Sequence, residues 1–206
     1  MTPTRLVLPA LLMLAFLSVQ VCPSEAKVHV TERTIYYTFG GRTGKQLYDL
    51  MARKGPRVPG ERNHKVAVTQ MEFGLRNLKG GLKGNRCVVL SADVHVKVTY
   101  RIPKWMGAGR ASPKLRKAWQ DFLAHIWRHE KRHMEIARDF AHDIERGLVR
   151  LKGDARRDCD GMLAAAEKMM LRSRTRHDRR QRGFDASWFG DGGQQFKYDR
   201  VLIAAE

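Results

Sequence analysis

The sequence predicts an α+β domain in which a small antiparallel sheet of about three to four strands packs against a long helix and a following helix. Three patterns lead to this prediction. Apolar and polar residues alternate over residues 87–102, as in a half-buried strand. Apolar residues recur every three or four positions over residues 113–151, as in an amphipathic helix. A second helical pattern covers residues 159–171, after a break at Gly153.

Residues 1–26 are typical of a signal peptide. Arg5 precedes an apolar run that extends from Leu6 to Val21, and Ser24-Glu25-Ala26 supplies the small residues that signal peptidase requires. The run is short for a membrane span, and no second apolar segment follows it. We therefore expect an exported protein, periplasmic or secreted, with no transmembrane span in the mature chain. An uncleaved N-terminal anchor is the alternative.

The first part of the mature chain is predicted to alternate between strands and a short helix. Residues 28–39 are rich in β-branched and aromatic side chains and indicate a strand. Thr43-Gly44-Lys45-Gln46 has the capping-box pattern that opens a helix, and Gly55-Pro56 ends it. A second strand is expected within residues 64–77, followed by a turn at Lys79-Gly80-Gly81.

Residues 87–102 give the clearest strand. One predicted face carries apolar side chains from Val88 and Leu90 to Tyr100. The other face carries Asp93 and His95, and a solvated sheet surface is a better interpretation of this pair than a cleft.

The cysteines indicate one disulfide. After removal of the signal peptide only Cys87 and Cys159 remain, and an exported protein folds in an oxidising compartment. A bond between them would close a loop of about 70 residues. Two free thiols are the alternative.

The predicted long helix contains His129-Glu130-Lys131-Arg132-His133, an H-E-x-x-H motif. Positions four apart lie on one face of a helix, so His129 and His133 can hold one metal ion. Glu130 lies about 100° round the helix, where its carboxylate can reach a water on the metal without being a ligand. This is the arrangement of a zinc peptidase with a Glu general base. A histidine-rich amphipathic helix with its imidazoles in the core or in a polar cleft is the alternative.

The motif does not identify a third ligand. Asp139 lies where one metalloprotease class places its last ligand, but that class needs a Gly where this chain has Ile136. On a continuous helix Asp139 and His142 point away from the motif face. His125 extends the row of histidines but lies too far along the helix to share the ion. It is expected beside the ligands or facing substrate, and a histidine at the edge of the core is equally compatible.

The remaining sequence is basic. Residues 27–173 are predicted to form a zinc-protease-like α+β domain, and residues 174–206 a basic C-terminal tail rich in glycine and aromatic residues. The arginine-rich run over residues 172–182 indicates a solvated, mobile segment or a dock for anionic surface polymer. The net charge of +18 favours contact with acidic envelope components or acidic substrates. The sequence does not favour nucleic acid as a partner, because no recognition-helix, OB or RRM signature accompanies the charge.

Several of these pieces occur together, and in this order, in one bacterial family. They are the Tyr36-Tyr37 strand, the helix ending in Gly55-Pro56, the strand ending in Pro103-Lys104-Trp105, the H-E-x-x-H that runs into Ile136-Ala137, and Asp158-Cys159. Over about residues 35–198 the chain resembles a bacterial family of predicted secreted zinc-dependent proteases, catalogued as a domain of unknown function.

That resemblance implies a zincin-like fold, His129 and His133 as zinc ligands, Glu130 as general base and a Cys87–Cys159 pair. Members often carry a His-Gly shortly after a C-terminal Tyr-Asp. Here Arg200-Val201-Leu202 follows Tyr198-Asp199 in place of a His-Gly. The third ligand would therefore be Asp199 or a residue that the sequence does not single out.

The sequence therefore predicts an exported zinc metallopeptidase that hydrolyses a peptide or protein substrate. The alternative is a non-catalytic protein with a degenerate site that binds the envelope through its basic surface.

Overall fold

The computed structural model describes residues 25–154, 159–190 and 193–206. The predicted signal peptide lies outside these residues except for its last two, which begin the first strand. The described elements, in order, are β1 (Glu25–Phe39), α1 (Gly44–Lys54), β2 (Val68–Lys83), β3 (Arg86–Trp105), a short 3-10 turn (Ala108–Arg110), α2 (Pro113–Arg150), β4 (Lys152–Asp154), α3 (Asp160–Phe189) and α4 (Gln194–Ile203). The predicted α+β class is confirmed. Among the described residues, no helix is long and apolar enough to span a membrane.

The sheet has the order β1-β3-β2, with β4 paired to the beginning of β3. Strands β2 and β3 are antiparallel, whereas β1 runs parallel to β3. The sheet is therefore mixed, and the prediction of an antiparallel sheet is wrong for β1. Tight hairpins impose antiparallel pairing, but β1 and β3 are separated by α1 and β2, so no hairpin constrains their relative direction.

The hairpin between β2 and β3 turns later than the sequence suggests. Lys79-Gly80-Gly81 belongs to β2, and the turn is at Gly84 and Asn85, where Gly84 has a φ of 60°. The register between β2 and β3 shifts on both sides of Lys79. Glycine inside a strand often marks a bulge, and in the sequence alone such a glycine pair has the same pattern as a turn.

The core lies between the inner face of β3 and helix α2. The buried β3 side chains include Ala92, Val94, Val96, Val98, Tyr100 and Ile102. Those of α2 include Leu115, Phe122, Ile126, Phe140, Ile144 and Leu148. Near the start of β3 the alternation differs from the prediction, because Val89 is buried and Leu90 is 46% exposed. The change of face lies opposite the register shift in β2.

Helix α2 begins and ends as its sequence predicts. Ser112 caps it, with its Oγ accepting a hydrogen bond from the Leu115 amide at 3.1 Å, and Pro113 occupies the first helical position. The predicted Cys87–Cys159 disulfide is present, with a Cα–Cα distance of 5.5 Å. It joins the beginning of β3 to the residue that precedes α3, and so fixes one end of α3 to the sheet.

Helix α3 continues well beyond its predicted end at Leu171, to Phe189. In the part beyond Leu171, the buried side chains include Ser173, His177 and Gln181, which are spaced by four residues. Helix α4 then returns to the domain, where Leu202 is fully buried and the Gly44 amide donates to the Ala205 carbonyl at 2.8 Å. The segment expected to be a mobile tail is therefore helical in its described part and packs on α1, α2 and β2.

Candidate metal centre

The two motif histidines meet on one face of α2, as predicted. His129 is buried and His133 is nearly so, and their Nε2 atoms lie 3.0 Å apart. This close approach follows from the four-residue spacing on a regular helix.

A third donor comes from α3. The Oδ1 atom of Asp185 lies 3.3 Å from the Nε2 atom of His129 and 3.0 Å from that of His133. Tetrahedral zinc, with bonds of about 2.0–2.2 Å, places its ligand atoms about 3.3–3.6 Å apart, slightly farther than these separations. His129, His133 and Asp185 thus form a cluster that can bind a metal ion.

The burial and the ionisation of the Asp185 carboxylate favour a bound cation. Its side chain is 45% exposed, yet Oδ1 itself is buried and makes no hydrogen bond of acceptable geometry. Burial alone would raise the pKa of Asp185, but the imidazoles of His129 and His133 outweigh it and hold the pKa well below its usual range. An ionised oxygen that is buried without a hydrogen bond requires a positive partner.

The orientation of His133 is fixed by Gln181. The Oε1 atom of Gln181 accepts a hydrogen bond from His133 Nδ1 at 2.6 Å, which places the proton on Nδ1 and leaves Nε2 free to be a ligand. The amide nitrogen of Gln181 donates to the His133 carbonyl at 3.0 Å and to His177 Nε2 at 2.8 Å. Burial lowers the pKa of His177, which keeps its imidazole neutral and able to accept this bond.

Glu130 is held separately from the three donors. It is 4% exposed, and its Oε2 accepts a hydrogen bond at 2.5 Å from the Thr69 hydroxyl, at the start of β2. Burial raises the pKa of Glu130, and the Thr69 hydroxyl partly opposes this rise. A carboxylate with a raised pKa is a better proton acceptor near neutral pH than an ordinary one.

A cleft of about 490 Å³ opens above these groups. Its floor includes His129, Glu130, His133 and Asp185. One wall is formed by residues 64–69, which lead into β2, and the other by residues of α3 and α4 such as Phe189 and Phe196. These two aromatic side chains are about half exposed, at 47% and 53%, so the wall is accessible to an apolar ligand group.

A family described as "Bacterial protein of unknown function (DUF922)" matches residues 34–192. The chain belongs to this family. The match includes both motif histidines, Glu130, Asp185 and the disulfide cysteines. No curated protein and no solved structure matches the chain.

In this DUF922 member, His125 is neither a ligand nor a substrate-facing group. It is fully buried and stacks between Trp188 and Tyr198, with ring centroids at 4.7 and 4.1 Å. Burial and the nearby Arg128 lower the pKa of His125 to about 4. Of the interpretations that the sequence leaves open for His125, the structure agrees with a histidine packed in the core.

The other acidic and histidine candidates lie away from the cluster. Asp139 contacts Arg180 at 3.4 Å, and His142 Nδ1 lies 2.8 Å from Glu145. Both therefore point away from the motif face, as predicted. Asp199 lines the cleft but accepts a hydrogen bond from Gln195 at 2.6 Å and is not part of the cluster.

Three residues of the site, Asp185, Gln181 and Thr69, are not among those that the sequence predicts. A signal for the first two existed, because His177, Gln181 and Asp185 are spaced by four residues and share one stripe of a helix. The surrounding arginines made this segment resemble a solvated tail. Thr69 has no signal in the sequence, because only the pairing of β2 brings it to α2.

Proposed function

We propose that this DUF922 protein is an exported zinc-dependent metallopeptidase. The observation that carries the proposal is the convergence of two imidazoles and one carboxylate beside a buried glutamate, at the floor of an open cleft. Two histidines with one carboxylate form a ligand set of catalytic zinc sites, where a fourth position stays open to water or substrate. The disulfide supports export, because such bonds persist in oxidising compartments.

His129, His133 and Asp185 would hold the zinc ion, with Gln181 keeping His133 in the ligating tautomer. When bound, zinc supplies a Lewis acid that lowers the pKa of a water molecule and polarises a peptide carbonyl. Glu130 accepts the proton of the attacking water as general base and can deliver it to the leaving amine. Thr69 orients the Glu130 carboxylate through its hydroxyl.

Aromatic side chains around the cluster strengthen the charge interactions within it. The rings of Phe184, Trp188 and Phe189 lie against His129, with centroids at 4.9, 5.2 and 5.0 Å. Apolar rings exclude water from one side of the cluster and leave the cleft as its access route. Charge interactions gain strength where water is excluded.

A peptide would lie in the cleft between residues 64–69 and the aromatic wall of α3 and α4. Strand β2 is bonded to β3 on one side only among the described elements, so its other edge can accept hydrogen bonds from an extended chain. The positive charge of the protein favours acidic peptides or proteins.

The test compares metal content and peptide hydrolysis in the purified protein, Glu130→Gln and His133→Ala. We expect about one zinc ion per chain at this centre in wild type and in Glu130→Gln, and its loss in His133→Ala. Hydrolysis of a mixed peptide library should disappear in both variants. His142→Ala, a histidine variant on the same helix away from the cluster, is the matched control. Hydrolysis that survives in Glu130→Gln would contradict the proposed role of Glu130.

A non-catalytic envelope-binding protein is the second candidate. It is favoured by the exposed arginines of α3, which are Arg172, Arg174, Arg176, Arg179, Arg180 and Arg182. Under this alternative, adhesion to acidic envelope components falls as salt rises and does not depend on zinc. Library hydrolysis that is absent from the zinc-loaded protein, together with such adhesion, would favour this alternative.

A further inference from the structure

A second group of metal-ligating side chains lies on the outer face of the sheet, opposite α2. His29 on β1 pairs in register with His95 on β3, and Asp93 lies two residues before His95 on the same face. The two imidazoles stack with centroids 4.8 Å apart and an interplanar angle of 15°. One ligand atom from each of the three residues lies within 4.8 Å of the others.

The Asp93 carboxylate is held by a structured part of β2. Asn77 has a φ of 51°, which is uncommon for a residue other than glycine, and it lies where the register with β3 shifts. Its side-chain amide donates to Asp93 Oδ2, and Ser91 Oγ donates to the Asn77 carbonyl at 2.9 Å. The remaining oxygen, Oδ1, lies 3.3 Å from His29 Nε2. Outer hydrogen bonds of this kind orient the ligands of metal sites.

The group is accessible from solvent. The side chains of His29 and Asp93 are 46% and 21% exposed. Gly74 is the cross-strand partner of His95, and a Cβ atom built on it would meet nothing within 4 Å. The space beside His95 is therefore open to an ion and to the small turn of the imidazole rings that coordination needs.

The charges around the group limit its affinity. Lys27 and Arg76 are the cross-strand partners of Asp93 and place positive charge beside it. A cation bound here is held more weakly than one at the buried cluster on α2.

We propose that His29, Asp93 and His95 form a second, weaker site for a divalent transition-metal ion of the zinc type. Two neutral imidazoles and one carboxylate match the nitrogen and oxygen ligands that zinc takes. The in-register pairing of β1 with β3 holds the two rings side by side and next to one carboxylate, so that one ion can reach all three groups. Coordination of one ion gives both neutral rings a common partner.

The test measures Zn²⁺ stoichiometry by titration calorimetry and elemental analysis in four proteins. They are wild type, His133→Ala, His95→Ala and the double variant. We expect about two ions per chain in wild type, about one in each single variant and none in the double variant. The ion that remains in His95→Ala should be the tighter of the two, and the ion that remains in His133→Ala the weaker.

Asp93→Asn provides the second variant, because it keeps the size of the side chain and removes only its charge. It should remove the weaker binding event and leave the unfolding temperature of the protein unchanged within a few degrees. The matched control is His142→Ala, which should keep both events. A weaker event that survives in both His95→Ala and Asp93→Asn would overturn the second site. His133→Ala tests only the tighter event at the α2 centre, whereas His95→Ala and Asp93→Asn test only the weaker event. Either proposal can therefore be contradicted while the other stands.

Discussion

Asp185 Oδ1 lies 3.0 Å from His133 Nε2, although the two residues belong to different helices and to distant parts of the sequence. The contact completes a three-ligand cluster that the H-E-x-x-H motif only begins. We therefore predict that Asp185→Asn lowers zinc affinity about 100-fold or more, because a neutral amide replaces an anionic ligand. Competition with a chelator of known affinity measures the change.

Asp139→Asn is the matched control for Asp185→Asn. Asp139 lies on α2 and pairs with Arg180 outside the cluster, so its neutralisation should leave zinc affinity within about twofold of wild type. Equal losses in the two variants would show that the effect comes from total charge and not from coordination.

Thr69 is predicted to act on catalysis through Glu130. Its hydroxyl stabilises the ionised carboxylate and so lowers the pKa of Glu130 relative to burial alone. Thr69→Val should leave zinc content unchanged and lower kcat about tenfold, in line with the loss of a charge-assisted hydrogen bond. It should also move the acidic limb of the pH–rate profile to higher pH, because only ionised Glu130 accepts a proton.

Thr69→Ser keeps the hydroxyl and should restore both the rate and the pH profile. If Thr69→Val lowers the rate without moving the acidic limb, Thr69 has only a packing role at the edge of β2.

Gln181 is predicted to be a positioning residue for the metal. Gln181→Met preserves side-chain volume but removes the acceptor for His133 Nδ1, so the imidazole can rotate or change tautomer. Zinc affinity should fall about 10- to 100-fold, as is usual when an outer hydrogen bond to a metal ligand is lost. Gln181→Glu keeps an acceptor at this position and should retain most of the affinity. Wild-type affinity in Gln181→Met would contradict the role.

The sequence predicts the contacts between residues that are close along the chain and leaves open those between distant residues. His129, Glu130 and His133 lie within two turns of one helix, so their relative positions follow from helix geometry alone. Asp185 reaches them only because α3 packs across α2, and that packing depends on tertiary contacts that no local pattern encodes.

The sheet shows the same limit. Alternation over residues 87–102 predicts a strand, and the structure contains β3 (Arg86–Trp105). Whether β1 pairs with it in parallel depends on the path of the intervening chain. Gly80 and Gly81 predict a turn when only the local sequence is considered, because glycine is common in turns and in bulges. Only the pairing with β3 shows that they lie in a strand beside a register shift.

Loss of the disulfide is predicted to destabilise the fold. Cys87 and Cys159 close a loop with a sequence separation of 72, for which the chain-entropy treatment gives about 4 kcal/mol. Cys87→Ser/Cys159→Ser should lower the denaturant midpoint accordingly, in equilibrium unfolding monitored by circular dichroism. The wild-type protein treated with reductant under the same conditions is the control and should match the variant. An unchanged midpoint in both would mean that the unfolded chain gains little freedom when the bond is removed.

Zinc binding at the α2 centre is predicted to compete with a proton on His133. Without metal, burial would lower the pKa of His133, but the Asp185 carboxylate beside its Nε2 and the hydrogen bond to Gln181 outweigh burial and raise the pKa. A raised pKa in the folded state means that the protonated imidazole stabilises the metal-free fold fully below about pH 6.5, the pKa of an unfolded histidine. That stabilisation is lost as the pH rises through the higher folded pKa.

The zinc affinity of the α2 centre should rise with pH, whereas the stabilisation of the metal-free fold by protonated His133 falls. Coordination needs neutral His133, so affinity rises with pH over this window, and binding near pH 6.5 releases the proton that more than half of the metal-free molecules carry on His133. Calorimetry in buffers of different ionisation enthalpy counts that proton. The pH dependence of the unfolding temperature of the metal-free protein measures this stabilisation, and His133→Ala should remove the part of the dependence that His133 contributes. Zinc binding with no proton release at any pH would contradict the protonated state assigned to metal-free His133.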